Sequence, residues 1–156
     1  MKNKIIIFIN FLVLFIVFGF SVIQQENYQK QSGFYLKLTP VDPRSLLQGD
    51  YMELNYEICD RALEDIRKNN MSKGYINIKI DKNKIGQYIS ISEKPQNKNI
   101  SAYFAYNGIK LDININSFMF QEGKGYIYSK AQYSEVVCIK NKLRLKKLLD
   151  KDFKSL

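Results

Sequence analysis

The chain has 156 residues, 24 Lys+Arg against 15 Asp+Glu for a formal net charge of +9, two cysteines and no histidine. The missing histidine excludes Ser-His-Asp and Cys-His catalysis and every imidazole metal site, and two cysteines cannot build a four-thiolate zinc cage. The length suits one modest domain, and the basic balance suits an anionic partner such as lipid headgroups, an anionic envelope polymer or nucleic acid, although a solvated basic surface accounts for the same charge.

Residues 5–23 read IIIFINFLVLFIVFGFSVI, with no charge. That length of apolar chain predicts a transmembrane helix in contact with membrane lipid, since it is longer than the apolar region of a secretory signal and runs directly into Gln24-Gln25-Glu26. Lys2 and Lys4 precede it and Glu26 is the first charge after it, so the positive-inside rule places the N-terminus in the cytoplasm and the domain outside. Residues 1–26 are read as the anchor, 27–32 as a polar tether and 33–156 as the extracytoplasmic domain. An outward domain argues against a nucleic-acid partner.

Beyond the tether, Phe34 to Leu38 reads as a strand ended by Pro40 and Pro43, which have no N–H to give a ladder. Val41 to Asp50 reads as a loop. In Tyr51 to Cys59, Met52, Leu54, Tyr56 and Ile58 alternate with Tyr51, Glu53, Asn55 and Glu57, the pattern of a half-buried strand. Asp60 to Asn69 fits a short amphipathic helix capped by Asp60 and stopped by Gly74. Tyr75 to Ile80 and Tyr88 to Ser92 form a strand pair around Lys82-Asn83-Lys84. Ile100 to Tyr106 and Ile109 to Ile115 flank Asn107-Gly108, a strong hairpin signal. Tyr126 to Tyr133 is expected to hold a short helix, and Val136 to Lys140 and Leu143 to Leu148 to close the fold as a hairpin around Asn141-Lys142. The fold class predicted from these elements is α+β, mainly β: an N-terminal transmembrane helix, then a curved or barrel-like antiparallel sheet with one or two short helices.

Two segments carry the only specific motifs. Gly49-Asp50-Tyr51-Met52-Glu53-Leu54-Asn55-Tyr56 spells G-D-Y-x-x-L-x-Y, and Phe118-Met119-Phe120-Gln121-Glu122-Gly123-Lys124-Gly125 carries an aromatic residue followed by Glu-Gly-x-Gly. In both, the chain resembles the bacterial membrane-anchored family named after the first motif. The resemblance implies an accessory subunit for another integral membrane protein. It also implies a short acidic helix after the second motif, but this chain has Tyr126-Ile127-Tyr128-Ser129-Lys130-Ala131 there, with no acidic residue before Glu135.

Gly49 and Asp50 suit a turn that starts a strand, since glycine tolerates strained backbone and aspartate accepts main-chain N–H groups. On a functional reading Arg44, Asp50 and Glu122 converge at one end of the sheet, with Gly49, Tyr51, Leu54, Tyr56, Gly123 and Gly125 completing the candidate binding set. Tyr51 and Tyr56 fall on opposite strand faces, so one is a surface group and the other belongs to the core. A disulfide between Cys59 and Cys138 is open to an extracytoplasmic domain, as is a pair of free thiols. Lys140, Lys142, Arg144 and Lys146 predict a basic strip on the last strand pair, suited to anionic headgroups or to discouraging edge-to-edge aggregation. No metal or cofactor is expected.

The preferred expectation is a non-enzymatic binding subunit for a membrane protein or envelope component. The alternative is a membrane-anchored hydrolase or transferase using Asp50 and Glu122. Pro43-x-x-Leu46-x-x-Gly49-Asp50 is similar to a stretch of signal-peptidase-like serine proteases, but no serine stands just before Pro43; Ser45 follows it, and Thr39 is a poor substitute.

Overall fold

The computed structural model describes residues 11–20, 31–39 and 51–156. The chain divides into two compact units, Met1–Ser32 and Gly33–Leu156. In the first, residues 11–20 are helical. Among the described residues no helix is long and apolar enough to cross a membrane. The transmembrane helix expected over residues 5–23 is thus not found among the described residues, which hold only 11–20 of that run; residues 5–10 and 21–23 lie outside them.

The second unit is built from nine strands and two helices among the described residues. In chain order these are β1 Phe34–Lys37, β2 Tyr51–Glu53, α1 Glu57–Lys68, β3 Lys73–Ile80, β4 Gly86–Ser92, β5 Ile100–Tyr106, β6 Leu111–Asp112, β7 Ser117–Met119, α2 Gly125–Tyr128, β8 Tyr133–Ile139 and β9 Lys142–Leu149. All ladders are antiparallel and fall into three sheets, ordered β1-β8-β9, β2-β7 and β4-β3-β5-β6. The expected barrel-like sheet is not formed. Where β1 meets the approach to β4, only a single parallel bridge forms, Tyr35 to Ile85, and β2 leaves the main sheets to pair with β7 alone.

One core runs under all three sheets, with Leu36, Leu54, Tyr56, Ile66, Ile76, Phe104, Ile113 and Leu148 nearly inaccessible. A buried polar knot joins three of the strands. The Asn77 amide donates to the Ser90 and Ser92 hydroxyls at 3.2 and 3.1 Å, and its carbonyl accepts from Ser101 at 2.8 Å. A knot with its members satisfied fixes the register of β3 against β4 and β5, where the ladder carries a bulge between Asn77 and Ile78.

Several boundaries differ from expectation for identifiable reasons. The alternation from Met52 to Ile58 is real, yet the strand stops at Glu53 and α1 begins at Glu57, because Ile58, Cys59, Ala62 and Ile66 share one buried helical face. Asp60 lies inside α1; Tyr56 is the cap, its side chain making no capping bond to the helix, and the Asp60 carboxylate instead accepts the Thr39 hydroxyl at 2.6 Å. Gly74 sits within β3, where an added Cβ would meet the Ser92 carbonyl oxygen at 2.8 Å. The β8–β9 turn is centred one residue earlier than predicted, on Lys140 and Asn141, both in the left-handed region at φ 49° and 62°.

Candidate functional site

The two sequence motifs meet in space. β2, from the first, pairs with β7, from the second, in the register Tyr51 to Met119, Met52 to Phe118 and Glu53 to Ser117. The pleat sends Met52 into the core and leaves Tyr51, Glu53, Ser117 and Met119 on the outer face. Tyr51 is 39% exposed and Met119 80%, so an apolar cross-strand pair stands in solvent.

Past β2 the first motif turns inward. The Leu54 N–H donates to the Asn116 carbonyl at 2.8 Å, and the Tyr56 hydroxyl donates to the Ile115 carbonyl at 2.8 Å. Both side chains are buried. Burial pushes the Tyr56 hydroxyl far above its ordinary pKa, so it remains a neutral donor. Leu54 and Tyr56 are thus anchors for the segment before β7, and Tyr51 is the motif tyrosine that reaches the surface.

In the second motif, Lys124 N–H bonds the Gln121 carbonyl at 3.1 Å, closing a four-residue turn. Its third residue, Gly123, has φ +78°, a conformation that favours glycine. Glu122 is exposed on this turn, and Gly125 is buried as the first residue of α2. Phe118 and Phe120 pack on Tyr128, with ring centroids 4.9 and 5.5 Å apart, and tie the turn to α2. Arg44, Gly49 and Asp50 lie outside the described residues, and so does the expected convergence of Arg44 and Asp50 with Glu122.

A groove of about 610 Å³, unforeseen from the sequence, opens beside the ribbon and is lined by Tyr106, Asn107, Lys110, Asp112, Asn114 and Ser117 among others. The alternation that buries Leu111, Ile113 and Ile115 turns Asp112, Asn114 and Asn116 the other way, so the signal was present in the sequence. Lys110 reaches across to Glu53 of β2 at 2.7 Å, which joins the groove wall to the first motif. A second cluster lies between β1 and α1. There Glu57 is bridged by Lys37 at 3.2 Å and by Arg61 one turn on, and the hydrogen bond from Lys37 does most to hold its carboxyl below the usual range.

Cys59, buried in α1, and Cys138 on β8 are both free thiols. The basic strip is interrupted. A bulge between Glu135 and Val136 sets Lys146 out of register, and Glu135 pairs with both Lys146 and Lys147 at 3.3 and 3.4 Å. Among the described residues no cluster of three or more Cys, Asp or Glu could hold a metal ion.

No curated protein and no solved structure matches this sequence. The family model described as GDYXXLXY protein matches residues 14–147, a span that contains both motifs and the ribbon they form, and the chain belongs to that family.

Proposed function

We propose that the chain is a non-catalytic binding module of the bacterial cell envelope, acting as an accessory subunit for another membrane protein or an envelope component. The observation that carries this reading is the β2–β7 ribbon. It holds Tyr51 and Met119 directly opposite one another and exposed, while Leu54 and Tyr56 fix the backbone beneath them. Tyrosine and methionine are enriched at protein interfaces, and a rigid strand pair presents them with little entropy left to lose on docking. Placement at the cytoplasmic membrane with the domain outside is part of the proposal. It is supported by the uncharged sequence of residues 5–23 behind Lys2 and Lys4.

The test is a photocrosslinking amino acid placed in the full chain at position 51, at position 119 and, as control, at the exposed Lys82 turn. The expected result is one discrete adduct shared by positions 51 and 119 and missing from 82. Equal capture from all three positions, or from none, rejects the reading. Protease treatment of spheroplasts checks the topology, and a protected domain contradicts it.

A further inference from the structure

The groove beside the ribbon has a chemistry at odds with the rest of this basic chain. Its charged lining residues are Lys110 and Asp112, and the Lys110 ammonium is already held by Glu53 at 2.7 Å. The remaining polar lining is Tyr106, Asn107, Asn114, Asn116 and Ser117, all uncharged. An anion entering here meets one neutralised lysine and the carboxylate of Asp112, which has no ion-pair partner among the described residues, so the +9 net charge of the chain does not describe this surface.

The loop bonds fix which polar atoms remain available. Asn107 Oδ1 accepts the N–H groups of Ile109 and Lys110 at 3.0 and 2.7 Å, which orients its amide NH2 as a donor with no partner among the described residues. Asp112 Oδ1 accepts the Asn114 N–H at 2.8 Å, and the second carboxylate oxygen is left as an acceptor. Asn116 is consumed structurally, with Oδ1 on Ile113 N–H at 2.8 Å and its amide on the Leu111 carbonyl at 3.0 Å. Asn114, held at φ 66°, projects an exposed carboxamide, and Ser117 adds a hydroxyl. The groove thus offers an oriented donor at Asn107 and an oriented acceptor at Asp112, with the Asn114 carboxamide and Ser117 hydroxyl beside them.

A second concavity of about 480 Å³ adjoins the first, and Tyr106 and Asn107 line both. Tyr106 is clamped there: its hydroxyl donates to the Gly108 carbonyl at 2.8 Å and accepts from Arg67 Nε at 3.2 Å. Two open hollows that share an aromatic ridge suit an elongated ligand, and each falls within the usual 300–1,000 Å³ of small-molecule sites. Arg67 lines the second hollow and its charge offsets that of Asp112, so the double groove is balanced in charge, and a wall of carboxamide, carboxylate and hydroxyl groups next to a fixed aromatic ring matches a ligand with many hydroxyls, no net charge and apolar ring faces.

We infer that this double groove binds a neutral glycan chain, with Asn107, Asp112, Asn114 and Ser117 hydrogen-bonding sugar hydroxyl or acetamido groups beside Tyr106. The inference uses neither Tyr51 nor Met119, so it is independent of the docking reading above.

The test is NMR titration of the full-length protein with three probes: tri-N-acetylchitotriose and maltotriose as neutral glycans, and a sulfated oligosaccharide of similar length. The side-chain amide signals of Asn107 and Asn114 are expected to shift saturably with at least one neutral probe, and equally at 0.05 and 0.5 M salt, because uncharged contacts are not screened. Asn114→Gly, which keeps the left-handed backbone, and Ser117→Ala should each weaken affinity roughly three- to tenfold, the size of one uncharged hydrogen bond. Tyr51→Ser should change it less than twofold. The inference is overturned by no saturable shift with either neutral probe, by salt-sensitive preference for the sulfated probe, or by shifts that Asn114→Gly and Ser117→Ala leave intact. A variant whose backbone spectrum departs from the parent is replaced by Asn107→Asp, which keeps the turn-forming oxygen and removes the amide donor; unchanged affinity there also overturns it.

Discussion

Tyr56 and Ile115, 59 positions apart in sequence, are joined by a hydrogen bond of 2.8 Å from the phenol to the main-chain carbonyl, with both residues buried. The bond links the end of the first motif to the segment just before β7. Together with the Leu54 N–H on the Asn116 carbonyl it sets where the ribbon stands and how the groove wall is aimed.

Tyr56→Phe should therefore destabilise the domain by about 1–3 kcal/mol, because it strands a buried carbonyl that has no access to water. Urea unfolding followed by circular dichroism measures it. A midpoint equal to that of the parent would show that the carbonyl finds another donor and that the tyrosine's place in the motif has a different cause.

The division of labour between the motif tyrosines was legible in the sequence, because the alternation of exposed and buried residues runs on past the end of β2 and puts Tyr51 outside and Tyr56 inside. The end of that strand was not legible. Ile58 satisfies the strand alternation and the helical face of α1 equally well, and packing against β1 and β4 decides between them. Asn107-Gly108 illustrates a related limit. It marks a reversal correctly, but Asn107 spends its side-chain oxygen on Ile109 and Lys110, so the loop is longer than two residues and β6 shrinks to Leu111–Asp112. The pairing of β2 with β7 depends on a crossover in three dimensions that no local pattern encodes, and the groove depends on it in turn.

Gly86 starts β4 next to Ile85, which bridges to Tyr35 of β1. A Cβ there would lie 2.9 Å from both Ile78 Cγ2 and Leu36 Cδ2 and 3.1 Å from Phe34 Cδ2, all core side chains. Gly86→Ala is expected to cost about 1–3 kcal/mol through overpacking. Thermal unfolding should show a lower midpoint, and pairing it with Leu36→Val should recover part of the loss. Equal midpoints for parent and Gly86→Ala would mean that the core there has slack.

The two thiols should differ in reactivity. Burial pushes Cys59 up to about 12, and burial also raises Cys138, which is only half-buried and whose Sγ lies 3.8 Å from the Ser101 carbonyl oxygen. Since the thiolate is the reactive form, alkylation of the folded protein at pH 8 should modify Cys138 slowly and Cys59 essentially only after unfolding. Mass spectrometry of the intact protein after timed iodoacetamide treatment reads this. Two rapid additions, or a non-reducing mass two hydrogens short, would contradict the arrangement.

Glu57 offers the clearest pH effect. Lys37, and then Arg61, hold its carboxyl below the usual range against the opposing effect of burial. A depressed folded-state pKa gives stability that is fully present above the unfolded value, near 4.5, and is lost as the pH falls through the lower folded value. The carboxylate is a third exposed and both cations are more than half exposed, so solvent screens the cluster and its contribution should stay under about 1 kcal/mol. The parent should therefore exceed Glu57→Gln in urea midpoint at pH 7, the difference should shrink as the pH falls below 4.5 through the lower folded value, and 0.5 M salt should reduce it at neutral pH. Lys37→Met should reproduce most of the same loss, since Lys37 makes the largest contribution to the shift. A difference that persists unchanged at pH 3 would mean that glutamine fails at this position for reasons of packing and not of charge.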